Sequence, residues 1–254
     1  MHRFYLPPEQ CAESVCLLRG SEAHHAIHVL RVRARDRFSI LDGAGRELQC
    51  EAVTVGGNEV RAQVIERRFT PAPATRITLL QAIPKGKIIE SIIQKATELG
   101  VARIIPLSSQ RVTSRLSVSQ AREKAEKWRE VSVEAIKQSG ATWLPNLEIP
   151  VAPEDFLQRE ERFDLSLIGS LQPDRQQIGK WFDQYFEEHG GAPSSVAVWI
   201  GPEGDFTIAE IMAARTSGAL PFTLGPLVLR VETAAIAALA IVNHELQAER
   251  ARKS

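Results

Sequence analysis

The chain has 254 residues, 44% of them hydrophobic, and its 31 Lys+Arg offset 31 Asp+Glu to a formal charge of zero. That length and apolar content allow one large or two unequal domains with buried cores. The neutral balance excludes a globally basic polyanion binder, so any nucleic-acid surface must be a local patch. The longest apolar run, Ala234 to Val242, falls well short of the roughly 20 residues of a membrane span. The opening stretch from Met1 to Pro8 lacks the apolar core of a secretory signal. Cys11, Cys16 and Cys50 are odd in number and contain no C-x-x-C pair. Together these features predict a cytoplasmic protein with no membrane span, disulfide framework or zinc site.

Up to Arg68 the pattern is one of short strands: Arg37 to Leu41, a turn at Asp42-Gly43-Ala44-Gly45, Glu47 to Val53, a turn at Gly56-Gly57-Asn58, and Glu59 to Ile65. One helix interrupts them, with Ser21 as its N-cap and Ala23, Ile27 and Leu30 on its apolar stripe. Residues 1–70 therefore read as a small β-barrel or sandwich. Thr70-Pro71-Ala72-Pro73-Ala74 has no apolar periodicity, which places a linker at 71–75.

From residue 76 to 254 strands and helices alternate. The strands are Ile77 to Leu80, Val101 to Leu107, Asp164 to Ile168, Ser195 to Ile200 and Pro221 to Leu224. The helices are Lys87 to Leu99, Gln120 to Gln138, Arg175 to Glu188, Ile208 to Ser217 and Thr233 to Ala248. Continuously apolar strands between helices predict an α/β fold with a parallel sheet. Gly100 and Gly140 fall where left-handed residues end helices, and Thr207 with Glu210 predicts a capping box. The last helix is apolar on nearly every face, so it should be buried all round, either in the core or at a subunit interface.

Several chemistries lose support at once, because the chain has no G-x-G-x-x-G, no G-x-x-x-x-G-K-[ST], no G-x-S-x-G and no H-E-x-x-H. His24 and His28 stand at the i,i+4 spacing of metal ligands next to His25, but no third ligand is evident and ordinary helix histidines are the favoured reading. Two loops stand out instead. Gly201-Pro202-Glu203-Gly204 and Gly225 to Thr233 each follow a strand at its carboxyl end, where open α/β sheets bind ligands. Their glycines permit close backbone approach, and the apolar residues of the second could wrap a flat ring. Arg230 within it offers a planar, permanently charged donor fork for a carbonyl or phosphate, with a salt bridge to Glu203 or Glu232 as the alternative. Arg31, Arg33, Arg35 and Arg37 alternate, so in an extended segment they would form a basic ridge opposite Asp36, joined in space by Arg3, Lys85 and Lys87.

The N-terminal residues Arg3-Phe4, Glu22-Ala23-His24-His25, Val29-Leu30-Arg31 and Asp42-Gly43 join a second group, Pro84-Lys85-Gly86, Glu90, Ile93 to Val101, Glu134-Ala135 and Gln138-Ser139-Gly140. Together with Gly201 to Gly204, Leu229-Arg230 and Glu232-Thr233-Ala234, they resemble the small-subunit ribosomal RNA methyltransferase E family of the SPOUT superfamily, over almost the whole chain. The resemblance implies a PUA-like RNA-binding domain ahead of a SPOUT domain with a C-terminal trefoil knot. It implies a homodimer that uses S-adenosylmethionine to methylate N3 of one uridine in 16S ribosomal RNA, within the small ribosomal subunit.

By the same resemblance the cofactor would be held by Ser170, Leu171, Ile200, Gly201, Pro202, Glu203, Gly204, Leu224, Gly225, Pro226, Val228, Leu229, Glu232 and Thr233. Arg230 would be the catalytic or uridine-orienting group, and Arg3, Arg31, Arg33, Lys85, Lys87 and Arg111 would contact RNA; no metal is implied. Asp205 stands where the family usually has a further glycine, and Leu227 where it commonly has arginine. Two other readings stay open: a non-catalytic RNA-binding assembly factor, and a knotted methyltransferase acting on another RNA nucleotide.

Overall fold

The computed structural model describes residues 2–111 and 117–253, with side chains up to residue 248. The chain forms two compact units, Met1–Ala72 with Val133–Leu144, and Pro73–Ser132 with Pro145–Ser254.

The first unit holds β1 (Arg3–Tyr5), β2 (Val15–Leu18), α1 (Gly20–His24), β3 (Arg37–Leu41), β4 (Arg46–Gly56) and β5 (Glu59–Phe69). They form a curled mixed sheet in the order β1-β3-β4-β5-β2, parallel only between β1 and β3. The small barrel expected from the sequence is present as a half-barrel, with β1 and β2 as its outer strands. Those two strands are three and four residues long, too short for alternation to announce them. β4 and β5 turn through Gly57 and Asn58, both at φ near +60°, as a two-residue hairpin loop of this hand requires. Register shifts at Gln49/Cys50 and Ala52/Thr54 bend the hairpin. Cys11, Cys16 and Cys50 are free thiols buried inside this sheet.

Two details depart from expectation. Arg19, not Ser21, is the N-cap of α1, which runs on into a wider π-helical turn over His25–Val29. The arginine ridge does not form as an extended strand: Arg31 and Arg35 adopt left-handed φ angles of 54° and 74°, and β3 begins only at Arg37. The Asp36 side chain accepts from the Arg33 amide and Arg37 pairs with Glu51, so the four exposed arginines lie on a turn and not on the extended backbone that alternation requires.

The second unit contains β6 (Arg76–Ala82), α2 (Ile88–Glu98), β7 (Arg103–Leu107), α3 (Val118–Ser139), β8 (Asn146–Leu147) and α4 (Pro153–Leu157). It continues with β9 (Leu165–Gly169), β10 (Gln176–Gln177), α5 (Ile178–His189), β11 (Ser195–Ile200), α6 (Ile208–Thr216), β12 (Leu220–Thr223) and α7 (Val231–Lys253). The sheet is parallel throughout, in the order β10-β12-β9-β11-β6-β7-β8. Successive side chains serve opposite faces. Ile77, Leu79, Val196, Val198 and Ile200 pack under α2, α5 and α7, while Leu80, Ala82, Ala197 and Trp199 pack with residues of α4 and α6. Burial on both faces is why these strands read as unbroken apolar runs. β8 and β10, two residues each, and the single-turn α4 carry too few residues for a periodic signal.

The last turns of α3 belong to the first unit, where Val133 and Ile136 pack with Tyr5 and Leu41. An uninterrupted helix of 22 residues gives no local sign of which core its apolar positions join. Helix α7 packs on the core through Val231, Ala235, Ala238, Leu239, Val242 and Leu246, with Ala234 and Ile241 partly buried against it. Ala240 is exposed and Ile236, Ala237 and Ile241 half-exposed, so within one chain the helix is not buried all round. Among the described residues no helix is long and apolar enough to cross a membrane.

Candidate functional site

Strands β9, β11 and β12 end on one edge of the sheet because all three are parallel. The two glycine-bearing loops that look adjacent in sequence flank β9, which lies between β12 and β11. The site is therefore built from three strand tips. A cavity of about 510 Å³ opens there.

Its wall includes Ser170 and Leu171 after β9, Ile200 at the end of β11 with Gly201, Pro202 and Glu203 after it, Leu224, Gly225, Val228, Leu229 and Arg230 after β12, and Glu232 in the first turn of α7. Gly204, Pro226 and Thr233, also expected at a cofactor, are not on the wall. The sequence reading omitted Gly169, Phe222 and Thr223 at the strand tips, Asp205 and Leu227 in the loops, Val231 and Ala234 at the start of α7, and Ile88 on α2. The strand-tip residues had a signal, since the last residues of parallel strands face the same crevice as the loops they feed. Ile88 had none, because only the crossover from β6 brings it there.

Local chemistry shapes these loops. A Cβ on Gly201 would lie 3.0 Å from Asp205 Oδ1 and 3.1 Å from the Phe206 nitrogen, so the turn has no room for a side chain there. Gly225 has φ +122°, and the Thr223 hydroxyl brackets it, accepting from its amide at 3.2 Å and donating to its carbonyl at 3.0 Å. Asp205 is left-handed at φ 61°; its amide donates to the Pro202 carbonyl, and its Oδ1 accepts from the Phe206 amide at 2.7 Å. Burial pushes the Asp205 carboxyl up from its ordinary value, against the opposing pull of the Phe206 and Leu171 amides and of Arg111.

Neighbouring loops are tied in. Glu203 accepts from the Lys85 amide at 2.9 Å, and Arg111 donates to the Gly204 carbonyl. The buried Glu210 accepts from the Thr207 amide at 2.7 Å and the Gln110 amide at 2.9 Å, while Thr207 Oγ1 accepts from Glu210. This is the predicted capping box, and it also fastens the loop after β7 to the start of α6. Thr207→Ala should cost about 1 kcal/mol of stability, read as a lower urea midpoint at unchanged slope. An unchanged midpoint would show that the cap is redundant.

Arg230 is exposed on the cavity rim. Neither Arg230 nor Asp205 forms an ion pair among the described residues, so the alternative pairing of Arg230 with Glu203 or Glu232 is not adopted. Lys85 and Lys87 are exposed in the loop between β6 and α2, and Arg31 and Arg33 are exposed in the first unit. Arg3 is engaged differently: its Nη1 donates to the carbonyls of Lys137 and Gln138 at 3.2 and 3.1 Å, closing the end of α3. Among the described residues no group of three metal-ligating side chains is gathered, and His24 and His28 lie side by side on the surface with ring centres 4.8 Å apart.

The chain matches the RNA methyltransferase domain family over residues 70–243 and the RNA methyltransferase PUA domain over residues 18–65. It is 31% identical to the ribosomal RNA small subunit methyltransferase E of a Synechocystis strain, across 97% of this chain and 78% of that protein. The Bacillus subtilis protein of the same name is 29% identical, across 97% and 98%. Among solved structures, a Legionella pneumophila methyltransferase with S-adenosylmethionine bound superposes with a TM-score of 0.84 at 30% identity, covering 95% of this chain and 96% of that one. A ribosomal RNA small subunit methyltransferase E from Neisseria gonorrhoeae, also bound to S-adenosylmethionine, gives 0.83 at 27% identity, covering 96% and 97%. A matching catalytic domain over two thirds of the chain, a matching PUA domain before it and full-length relatives of one name place this chain in the ribosomal RNA small subunit methyltransferase E family.

Proposed function

We propose that this protein transfers a methyl group from S-adenosylmethionine to N3 of a uridine in 16S ribosomal RNA, in the cytoplasm and within the small ribosomal subunit. The observation that carries the reading is the cavity at the tips of β9, β11 and β12 with Arg230, which forms no ion pair among the described residues, on its rim. The residues fit the cofactor. About 510 Å³ lies within the usual range of small-molecule sites, Leu171, Ile200, Leu224 and Leu229 offer apolar surface to an adenine, and Gly201 and Gly225 let backbone approach a polar ligand closely.

When bound, S-adenosylmethionine supplies an electrophilic methyl carbon on a sulfonium. The chain's task is to hold the uracil so that N3 faces that carbon in line, and to favour loss of the N3 proton. Arg230 does both in this reading. Its fork orients a uracil carbonyl, and its charge stabilises the anion left at N3, lowering the cost of ionisation without a dedicated base. Arg31 and Arg33 on the PUA-like unit and Lys85, Lys87 and Arg111 on the catalytic unit would hold RNA phosphates; Arg3 acts mainly as a helix cap. The side of α7 that carries Ala237 and the exposed Ala240 is the surface we assign to a homodimer contact. The SPOUT topology with a C-terminal knot and the division into residues 1–70, 71–75 and 76–254 complete the proposal.

The experiment is mass mapping of 16S ribosomal RNA from a strain lacking this protein. Loss of one 3-methyluridine, restored by re-expression, is the expected result, and an unaltered map with full methylation would remove the reading. Binding to RNA should weaken linearly on a log-log salt plot, and replacing Arg31 and Arg33 together by alanine should flatten that slope by roughly 1.5. An unchanged slope would take both residues out of the RNA contact.

A further inference from the structure

We propose that the Asp205 carboxylate gives this cavity its preference for S-adenosylmethionine over S-adenosylhomocysteine, the product whose sulfur carries no charge. The inference rests on the cofactor reading above. Asp205 is on the cavity wall, with Oδ1 lying against Gly201 at 3.0 Å from where a Cβ would stand. Its left-handed backbone, uncommon for a residue with a side chain, is pinned by the bonds to Pro202 and Phe206, so the carboxylate is held in place rather than free to turn into water. Its charge meets no cation in an ion pair among the described residues, and Arg111, the cation that acts on it, donates to the Gly204 carbonyl instead.

The other ionisable groups on the wall are Glu203, Arg230 and Glu232. Glu203 and Arg230 are exposed, where water and salt screen them; Asp205 and Glu232 are partly buried, and Asp205 is the one whose carboxylate is fixed by a bond within its own turn. A cavity of about 510 Å³ is about 10 Å across, so a cation near its middle lies about 5 Å from the wall, inside the Debye length of about 8 Å. Substrate and product cofactors share the adenosine and the amino-acid tail and differ only by the methyl and the sulfonium charge. A fixed negative charge on the wall therefore favours the charged form and eases release of the neutral one after transfer.

Calorimetry on the full-length protein with each cofactor form separately tests this, using Asp205→Asn, which keeps the size and an acceptor, and Asp205→Gly, which tolerates the left-handed backbone. The ratio of dissociation constants, homocysteine form over methionine form, should fall about tenfold in both variants, with affinity for the homocysteine form nearly unchanged. An unchanged ratio, or equal loss of both affinities, would overturn the proposal and leave Asp205 a loop-shaping residue. If the wild-type protein binds neither form, it is the cofactor reading itself that fails.

Discussion

Arg230→Ala is expected to lower kcat on 30S particles about 10²–10³-fold while S-adenosylmethionine affinity stays within about threefold, because the group removed acts on the charge that develops as N3 loses its proton. Arg230 lies on the rim of the cavity and has no ion-pair partner among the described residues, so its removal orphans no carboxylate there that could collapse the loop. That separates a rate effect from a folding effect. Arg230→Lys should recover only part of the loss, since an ammonium is a point charge without the planar fork. Raising the pH should partly rescue Arg230→Ala, because more of the uracil is then ionised at N3, its proton going to solvent, without the guanidinium's stabilisation. Full turnover by Arg230→Ala at neutral pH, with cofactor binding intact, would strip Arg230 of this role.

Lys137→Ala should destabilise the first unit by about 3–5 kcal/mol, the cost of removing one partner from a buried ion pair. The Lys137 side chain is 6% exposed, and its ammonium donates at 2.8 Å to both Glu22 and Glu134. Glu22 is itself largely buried and also accepts from the Tyr5 amide at 3.2 Å, so losing the lysine leaves a carboxylate stranded between α1, β1 and α3. Burial pulls the Lys137 ammonium down from its ordinary 10.5, but the bonds to Glu134 and Glu22 outweigh it and the net direction is up. A raised folded value means that the stabilisation is fully present below 10.5 and is lost only as pH rises through the higher folded value. Urea midpoints of the wild type should therefore show no contribution from Lys137 titration near neutrality and a decline at strongly alkaline pH that Lys137→Ala lacks. The pair Lys137→Met with Glu22→Gln should regain most of the lost stability. If Lys137→Ala melts like the wild type, the clasp is not what holds α3 to this unit.

Much of the architecture was legible because it rests on local rules. Residues 195–200 and 37–41 read as strands with the bounds the structure gives them, since apolar runs and adjoining turns mark them on both sides. The Thr207–Glu210 capping box and the left-handed glycines 100 and 140 were readable for the same reason: each is a conformational need met within a few residues. The arginine series failed on another local rule. Alternation predicts one face only if the backbone is extended, and Arg31 and Arg35 sit in left-handed turns instead.

The candidate site was half legible. Gly201 and Gly225 announce loops at strand ends, and the resemblance to a known family joined them to Ser170 and Leu171. That β9 runs between the two loops, that Ile88 reaches their cavity, and that Asp205 stands on its wall follow from strand order and crossover.

By itself, then, the sequence determined most of the longer helices and strands and several of the turns between them, that the second unit is built on a buried parallel sheet, and to which family the chain belongs. Only the tertiary structure decided which strand tips share a crevice, that Arg230 forms no ion pair among the described residues, that the end of α3 packs with the N-terminal sheet, and that Ala240 of α7 is exposed. The physical reason is range. Capping, turn geometry and alternation act between residues a few positions apart, whereas a cavity that gathers Ile88 with Arg230 and a buried ion pair such as Lys137–Glu22 join residues more than 100 positions apart, whose meeting is set by packing alone.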